Sequence, residues 1–241
     1  MNVYREICLM YEVETSIRLI RKGMAELQGI SGANDFYHVP ILLLSSGYER
    51  LIKCLLCLAS IDEKGEIKEI PYEKKGRRGH DLDLLLNKLL EICEEKDYSS
   101  KFPAAKEDIN LLKNDKKLRK IVSILSEFAQ SGRYYNLDMF IDGKSDYDKS
   151  EDKWEELETA IALSRKDISK KIKTPGELGH IYTEINKEFI IVLEKFARAL
   201  ARLFTLGDFG KFAKQISPYV HDYLFLKDEE LGNRDYRKMR I

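Results

Sequence analysis

Apolar residues recur every three or four positions along most of this chain, and this spacing is typical of amphipathic α-helices. It predicts helices over residues 3–29, 39–61, 81–96, 104–113, 115–130, 151–172 and 177–205, and two short helices over 208–215 and 218–226. Only five prolines and fourteen glycines occur, and long stretches contain neither. Because a β fold with many turns would need more of both, the pattern predicts an all-α protein.

The order of these helices predicts an organisation as well as a fold class. The helix over 39–61 is the most apolar, so we expect it at the centre of a bundle. Thr174-Pro175-Gly176 predicts a turn that makes the last two long helices a hairpin. The sequence therefore predicts a helical bundle over residues 1–145 and a long hairpin with a tail over 146–241, the two packing on one core or forming a single domain. Residues 141–150 are expected to form an exposed loop, and the basic last ten residues to fray.

Charge and compartment restrict the function. The chain has 41 basic and 41 acidic residues, so a surface for nucleic acid would require local segregation of charge. Glu6, Glu12 and Glu14 interrupt any apolar leader near the N-terminus. Glu49 and Lys53 lie within the most apolar helix and argue against a membrane span. We therefore predict a soluble cytoplasmic protein that does not bind a membrane.

The cysteines and histidines do not predict a metal or cofactor. Cys54 and Cys57 have CxxC spacing, but their neighbours are Leu, Ile and Ala in the middle of a helix. This setting favours free thiols in the core over a redox or metal pair. The four histidines form no metal-binding motif, and the chain contains no phosphate-binding glycine loop.

A polar strip interrupts the most apolar helix. Ser46, Glu49, Arg50 and Lys53 share one helix face, and Glu49 and Lys53 have the favoured orientation for an i,i+4 ion pair. Charges on a buried helix must be paired or face a cleft. Two interpretations follow: a solvated side of a partly exposed helix, or a polar groove lined by Glu49 and Lys53.

A second candidate is the segment Arg77-Arg78-Gly79-His80-Asp81. It precedes a helix for which Asp81 is the expected N-cap. Free N–H groups at a helix start favour anions, so the two arginines and His80 could bind phosphate. The alternative is an exposed basic loop in which His80 packs or caps.

A third candidate is the segment Arg133-Tyr134-Tyr135-Asn136-Leu137-Asp138 at the end of a predicted helix. An arginine beside two tyrosines can stack on bases and bind phosphates. The same residues can instead form a structural corner in which Asp138 pairs with Arg133.

Two of these segments together resemble HEPN-domain proteins. Residues 46–58, SGYERLIKCLLCL, are similar to the ExxxK helix of that family, and residues 79–85, GHDLDLL, to its later HDL helix start. Arg133 and Tyr134 resemble the Arg-Tyr that often closes the following helix. The resemblance covers roughly residues 38–140 and implies a helical bundle that is frequently dimeric, in RNA-processing, toxin–antitoxin or antiphage systems.

The chain departs from the family at the ribonuclease motif, R-x4–6-H. No arginine stands at that spacing before His38, His80, His180 or His221. The family's catalytic site therefore does not transfer, and Glu49, Lys53, His80, Arg133 and Tyr134 match only its common pattern.

Three hypotheses about function follow. The first is a HEPN-like module, non-catalytic or divergent, that binds RNA or a nucleotide in a defence system, as a homodimer or with the product of an adjacent gene. The second is a divergent metal-independent ribonuclease in which His80 is the acid–base and Arg77, Arg78 or Arg133 stabilises charge. The third is a structural helical protein that forms a homodimer or binds a partner. The candidate binding residues are Glu49, Arg50, Lys53, Arg77, Arg78, His80, Arg133, Tyr134, Tyr135 and Asp138.

Overall fold

The computed structural model describes residues 2–32, 36–61, 64–67, 69–74, 76–145, 148–171 and 178–239. No β-strand occurs in these ranges, and the chain is all-α as predicted. The helices are α1 (Val3–Gly29), α2 (His38–Ala59), α3 (Leu82–Glu95), α4 (Tyr98–Lys101), α5 (Pro103–Asn114), α6 (Lys116–Gln130), α7 (Tyr135–Asp142), α8 (Ser150–Ser164), α9 (Lys166–Lys171), α10 (Leu178–Leu206), α11 (Gly210–Ile216) and α12 (His221–Leu224). Short 3₁₀ turns cover Arg77–His80, Gly132–Tyr134, Ser217–Val220, Asp228–Glu230 and Tyr236–Lys238.

Helix α2 is the central helix, as its apolar pattern predicts. It packs against α1, α3, α6 and α10. Two glycines allow α1 and α2 to approach closely in antiparallel orientation: a Cβ on Gly23 would lie 2.7 Å from the Leu44 side chain, and one on Gly47 2.7 Å from that of Ile20. Within the described ranges, no helix combines the length and apolar character needed to cross a membrane.

The C-terminal helices contribute to the same apolar core as the N-terminal ones. Tyr48 of α2 stacks on Phe196 of α10 with ring centroids 4.4 Å apart, and its hydroxyl donates a 2.7 Å hydrogen bond to the carbonyl of Leu193. Trp154 of α8 stacks on Phe189 of α10 at 4.6 Å. The predicted turn over 174–176 lies outside the described residues, and the division of the chain near residue 145 stays a prediction.

The predicted helix over 151–172 is wrong in one respect, because it breaks at Arg165. The backbone of Arg165 is extended, and α9 begins at the next residue. Its guanidinium bonds to Asp167 at 2.5 Å, to Glu188 at 3.2 Å and to Glu184 at 3.4 Å. The last two partners belong to α10, so contacts between helices, which periodicity does not report, accompany the break.

The region after α6 also differs from the prediction. Helix α7 was not predicted, and it extends to Asp142, so the expected loop over 141–150 begins only at Gly143. Gly143 has a φ of 65°, in the left-handed region that glycine adopts easily, and this conformation ends α7. Residues 146 and 147 of the expected loop lie outside the described residues.

The prediction that the last ten residues fray is wrong for the described part of that segment. Tyr236 is buried, and its hydroxyl donates a 2.7 Å hydrogen bond to the buried carboxylate of Glu194 on α10. The other oxygen of Glu194 accepts from the backbone N–H of Gly232 at 2.6 Å. The side-chain amide of Gln28 on α1 accepts a 2.8 Å hydrogen bond from the backbone N–H of Tyr236 and donates a 2.7 Å hydrogen bond to the carbonyl of Arg234. The tail is therefore anchored to α1 and α10.

Candidate functional site

Three of the predicted site residues meet at the surface between α2 and the 3₁₀ turn before α3. Glu49 and Lys53 lie one turn apart on α2, and the Lys53 ammonium donates a 2.6 Å hydrogen bond to Oε1 of Glu49. Nδ1 of His80 lies 3.0 Å from the same oxygen and 3.2 Å from Oε2. The Glu49 carboxylate is therefore shared by an ammonium and an imidazole. We call these three residues the Glu49 cluster.

The local backbone positions His80 for this contact. Gly79, inside the 3₁₀ turn, has no room for a side chain, since a Cβ would lie 2.7 Å from the carbonyl oxygen of Glu73. Directly after His80, Asp81 caps α3 as predicted, accepting from the backbone N–H of Leu84 at 2.9 Å. The same Asp81 oxygen accepts from the Ser126 hydroxyl of α6 at 3.0 Å. The C-terminal end of the turn is thus fixed by the bonds of Asp81 to α3 and α6.

Tyr72 belongs to the site and was not predicted. The Lys53 ammonium lies 5.3 Å from the centre of its ring, within the range of a cation–π contact. Its hydroxyl lies 3.6 Å from Sγ of Cys57, and burial raises the pKa of both groups. Tyr72 is the only aromatic residue in the polar connection over 62–80, and that isolated position was the signal available in the sequence.

The neighbouring arginines do not join the Glu49 cluster. Arg50 turns toward α1, where its guanidinium donates a 2.5 Å hydrogen bond to Glu12. Arg78 is highly exposed. Its guanidinium lies 3.9 Å from the Glu73 carboxylate, at the long end of an ion pair, so it remains available to solvent. The side chain of Arg77 lies outside the described part of the structure.

The third predicted segment forms a separate site. The Arg133 guanidinium lies 5.3 Å from the centre of the Tyr134 ring, and its Nε is buried without a hydrogen-bond partner. Among the described residues, no hydrogen bond or ion pair connects Arg133 to Asp138, to His80 or to Glu49. Tyr135 lines a cavity of about 550 Å³, and the other lining residues are Lys120, Met139, Ser145, Asp148, Lys149, Asp152, Lys153 and Glu156.

The geometry of the Glu49 cluster permits two kinds of chemistry. A carboxylate only accepts hydrogen bonds, so Nδ1 of His80 carries the proton toward Glu49 and leaves Nε2 unprotonated in the neutral ring. No described residue bonds to Nε2. That nitrogen can accept a proton from a hydroxyl or, when the ring is charged, donate to a phosphate oxygen.

The comparisons with known proteins give no relative. No family model, no curated protein and no solved structure matches the chain. The similarity to HEPN proteins therefore rests on the short motifs quoted above. Over the described ranges, no three His, Cys, Asp or Glu side chains are placed to share a metal ion.

Proposed function

We propose that this protein is a HEPN-like helical module that binds RNA or a nucleotide at the Glu49 cluster. The observation that carries the proposal is the hydrogen bond between His80 and Glu49. It joins residues that lie 31 positions apart in the chain, and it leaves the imidazole accessible to solvent.

The surroundings of the cluster favour a phosphate-containing ligand. Arg78 stands two residues before His80 and is exposed, and Lys74 lies exposed in the connection that leads to it. Lys53 forms an ion pair with Glu49, and its ammonium also lies beside the ring of Tyr72. Phosphates bind such groups through charge-assisted hydrogen bonds, and nucleobases stack on aromatic rings.

A ribonuclease is the second candidate, and one specific contact favours it. The Glu49 carboxylate fixes the tautomer of His80, as an orienting carboxylate does for a catalytic histidine. Nε2 would then accept the proton of a ribose 2′-hydroxyl, whose oxygen would attack the adjacent phosphorus. The bond from phosphorus to the 5′-oxygen would break, and the leaving oxygen would take up a proton from water. The products would be a 2′,3′-cyclic phosphate and a 5′-hydroxyl.

One experiment tests binding and cleavage together. Fluorescence anisotropy of a labelled single-stranded RNA, recorded in EDTA, measures Kd, and gel electrophoresis of the same samples measures cleavage. The variants are His80→Gln and Lys53→Gln, with Arg50→Gln as the matched control. Lys53 and Arg50 both lie on α2 and both pair with a glutamate, so each change removes one positive charge from the same helix.

We expect His80→Gln and Lys53→Gln each to raise Kd about tenfold, which corresponds to roughly 1.4 kcal/mol, and Arg50→Gln to leave Kd almost unchanged. Equal losses in all three variants would mean unspecific attraction by net charge and would contradict the proposal. Cleavage by the wild type that disappears in His80→Gln would favour the ribonuclease. Absence of any binding to RNA, AMP or ATP would overturn both.

A further inference from the structure

Helix α7 has an unusual surface for a short helix on a globular protein. None of its residues is buried, although most of them are apolar. Phe140 is 86% exposed and Ile141 71%, and Tyr134 and Leu137 are each more than half exposed. Single exposed apolar residues are ordinary, but a contiguous group of large ones marks a contact surface.

These four side chains form one continuous arc. Leu137 and Ile141 have the i, i+4 spacing of one face of α7, Phe140 flanks them, and Tyr134 is the residue directly before the helix. Tyr135 and Met139 lie on another side of α7, where they line the cavity next to α6 and α8. The arc therefore faces away from the protein, and the ring contact recorded for it among the described residues is that of the Arg133 guanidinium with Tyr134, at 5.3 Å. We call Tyr134, Leu137, Phe140 and Ile141 the α7 arc.

The charges at the ends of α7 indicate what covers this surface. The N-terminus of a helix favours anions and its C-terminus favours cations. Here Arg133 lies two positions before the first residue of α7, in the preceding 3₁₀ turn, and Asp142 is the last residue, so both charges oppose the dipole of their own helix. An antiparallel second copy of α7 would bring each charge beside the helix end that it favours and beside the opposite charge. Asp138 and Lys144 have the ordinary placement for the helix's own dipole.

The size of the arc agrees with a two-fold contact. Large side chains bury roughly 150–250 Å² each, so the arc exposes on the order of 400–500 Å² of apolar surface. In a two-fold dimer the same patch is used twice, and with the flanking residues the total area reaches about 1,200 Å², the lower limit for a stable interface.

We propose that two copies of this chain associate through antiparallel α7 helices. The two-fold axis would lie beside Leu137, so that Tyr134 of each copy meets Ile141 of the other and Phe140 is covered at the edge. A size near the lower limit predicts a reversible dimer of moderate affinity. This proposal does not depend on the RNA proposal, because it uses none of the residues of the Glu49 cluster.

Sedimentation equilibrium of the full chain over a wide concentration range tests the association. We expect a monomer–dimer equilibrium whose Kd rises at least about tenfold in Phe140→Asp, because the change removes the most exposed ring of the α7 arc and places a carboxylate in the apolar contact. Phe225→Asp is the matched control, since Phe225 is also a highly exposed ring but lies beyond α12, and its Kd should equal that of the wild type. A wild type that stays monomeric, or a dimer unaffected by Phe140→Asp, would overturn the proposal.

Disulfide cross-linking tests the orientation. In a Cys8→Ser background, which removes the exposed native thiol, Leu137→Cys should form a covalent dimer on mild oxidation because the two residues meet at the axis. Lys144→Cys should not, because antiparallel helices hold its two copies apart. Cross-linking at both positions would indicate parallel helices and contradict the antiparallel arrangement.

Discussion

The structure contains two glutamate–histidine pairs with nearly the same geometry and different surroundings. Nδ1 of His80 lies 3.0 Å from Glu49, and Nδ1 of His38 lies 2.9 Å from Glu151 of α8. The His38 ring packs between two aromatic residues, stacked on Phe36 at 5.8 Å and edge-on to Phe128 at 4.9 Å. Among the residues that the structure describes, no aromatic ring packs on His80. The same hydrogen bond therefore occurs in two settings, and the two rings differ in exposure: 24% of the His38 side chain is exposed and 39% of the His80 side chain.

The carboxylates of the two pairs also differ in the number of partners that they have. The two side chains are almost equally covered, with 12% of Glu49 and 10% of Glu151 exposed, but Glu49 has partners for its charge from both Lys53 and His80. Glu151 is buried, and its Oε2 has no hydrogen-bond partner. Two turns further along α8, the buried Glu158 accepts a 2.8 Å hydrogen bond from the Tyr37 hydroxyl. The pair on α8 therefore belongs to a contact that fixes α8 to the start of α2, whereas in the Glu49 pair the His80 side chain is 39% exposed.

The largest expected difference between the two regions concerns their aromatic neighbours. Phe128→Ala should lower the free energy of unfolding by about 3–5 kcal/mol, because it empties a fully buried site and uncovers His38. Tyr72→Ala, beside the Glu49 cluster, should cost only about 1–2 kcal/mol, since Tyr72 is half-buried. Urea unfolding followed by circular dichroism measures both. Equal losses would mean that the two regions are equally integral to the core.

A pH-dependent difference is expected next in size. Burial raises the pKa of Glu158 to about 7, from an ordinary value of 4.5. Between these values the folded protein holds a proton that the unfolded chain releases. Stability that is fully present below pH about 4.5 is therefore lost as the pH rises to about 7, on the order of 3 kcal/mol.

Glu158→Gln should remove most of this loss, because an amide does not titrate. Urea unfolding at a series of pH values measures it, with Glu49→Gln as the control at the other glutamate–histidine pair. If the Glu158→Gln and wild-type stabilities fall in parallel between pH 5 and 7.5, Glu158 is not the titrating group.

The smallest of the three expected differences is the loss of stability on replacing each of the two histidines. His38→Gln should destabilise the fold by about 2 kcal/mol, because it disturbs the ring packing and weakens the bond to a buried carboxylate. His80→Gln should cost less than about 1 kcal/mol, since Glu49 keeps its ion pair with Lys53 and the His80 ring is partly exposed. Thermal unfolding of the two variants, compared with the wild type, gives the order. A His80 variant that is less stable than the His38 variant would reverse the assignment of roles.

The sequence by itself determined the features that depend on neighbours within one helical turn. The apolar spacing placed the long helices and the all-α class, because burial of one helix face needs no knowledge of the partner. Asp81 was identified as a cap since its acceptor lies three residues away. The Glu49–Lys53 pair was predicted for the same reason, because positions four apart on a helix are always adjacent.

Only the tertiary structure decided which distant residues meet. The contacts of Glu49 with His80, of His38 with Glu151 and of Arg50 with Glu12 span 31, 113 and 38 positions. Each depends on how the helices pack, which the local spacing does not encode. The break at Arg165 and the anchored tail have the same origin, because ion pairs and hydrogen bonds between helices outweigh the local preference. Packing, which covers the ring of His38 and leaves that of His80 open, distinguishes two histidines that look alike in sequence.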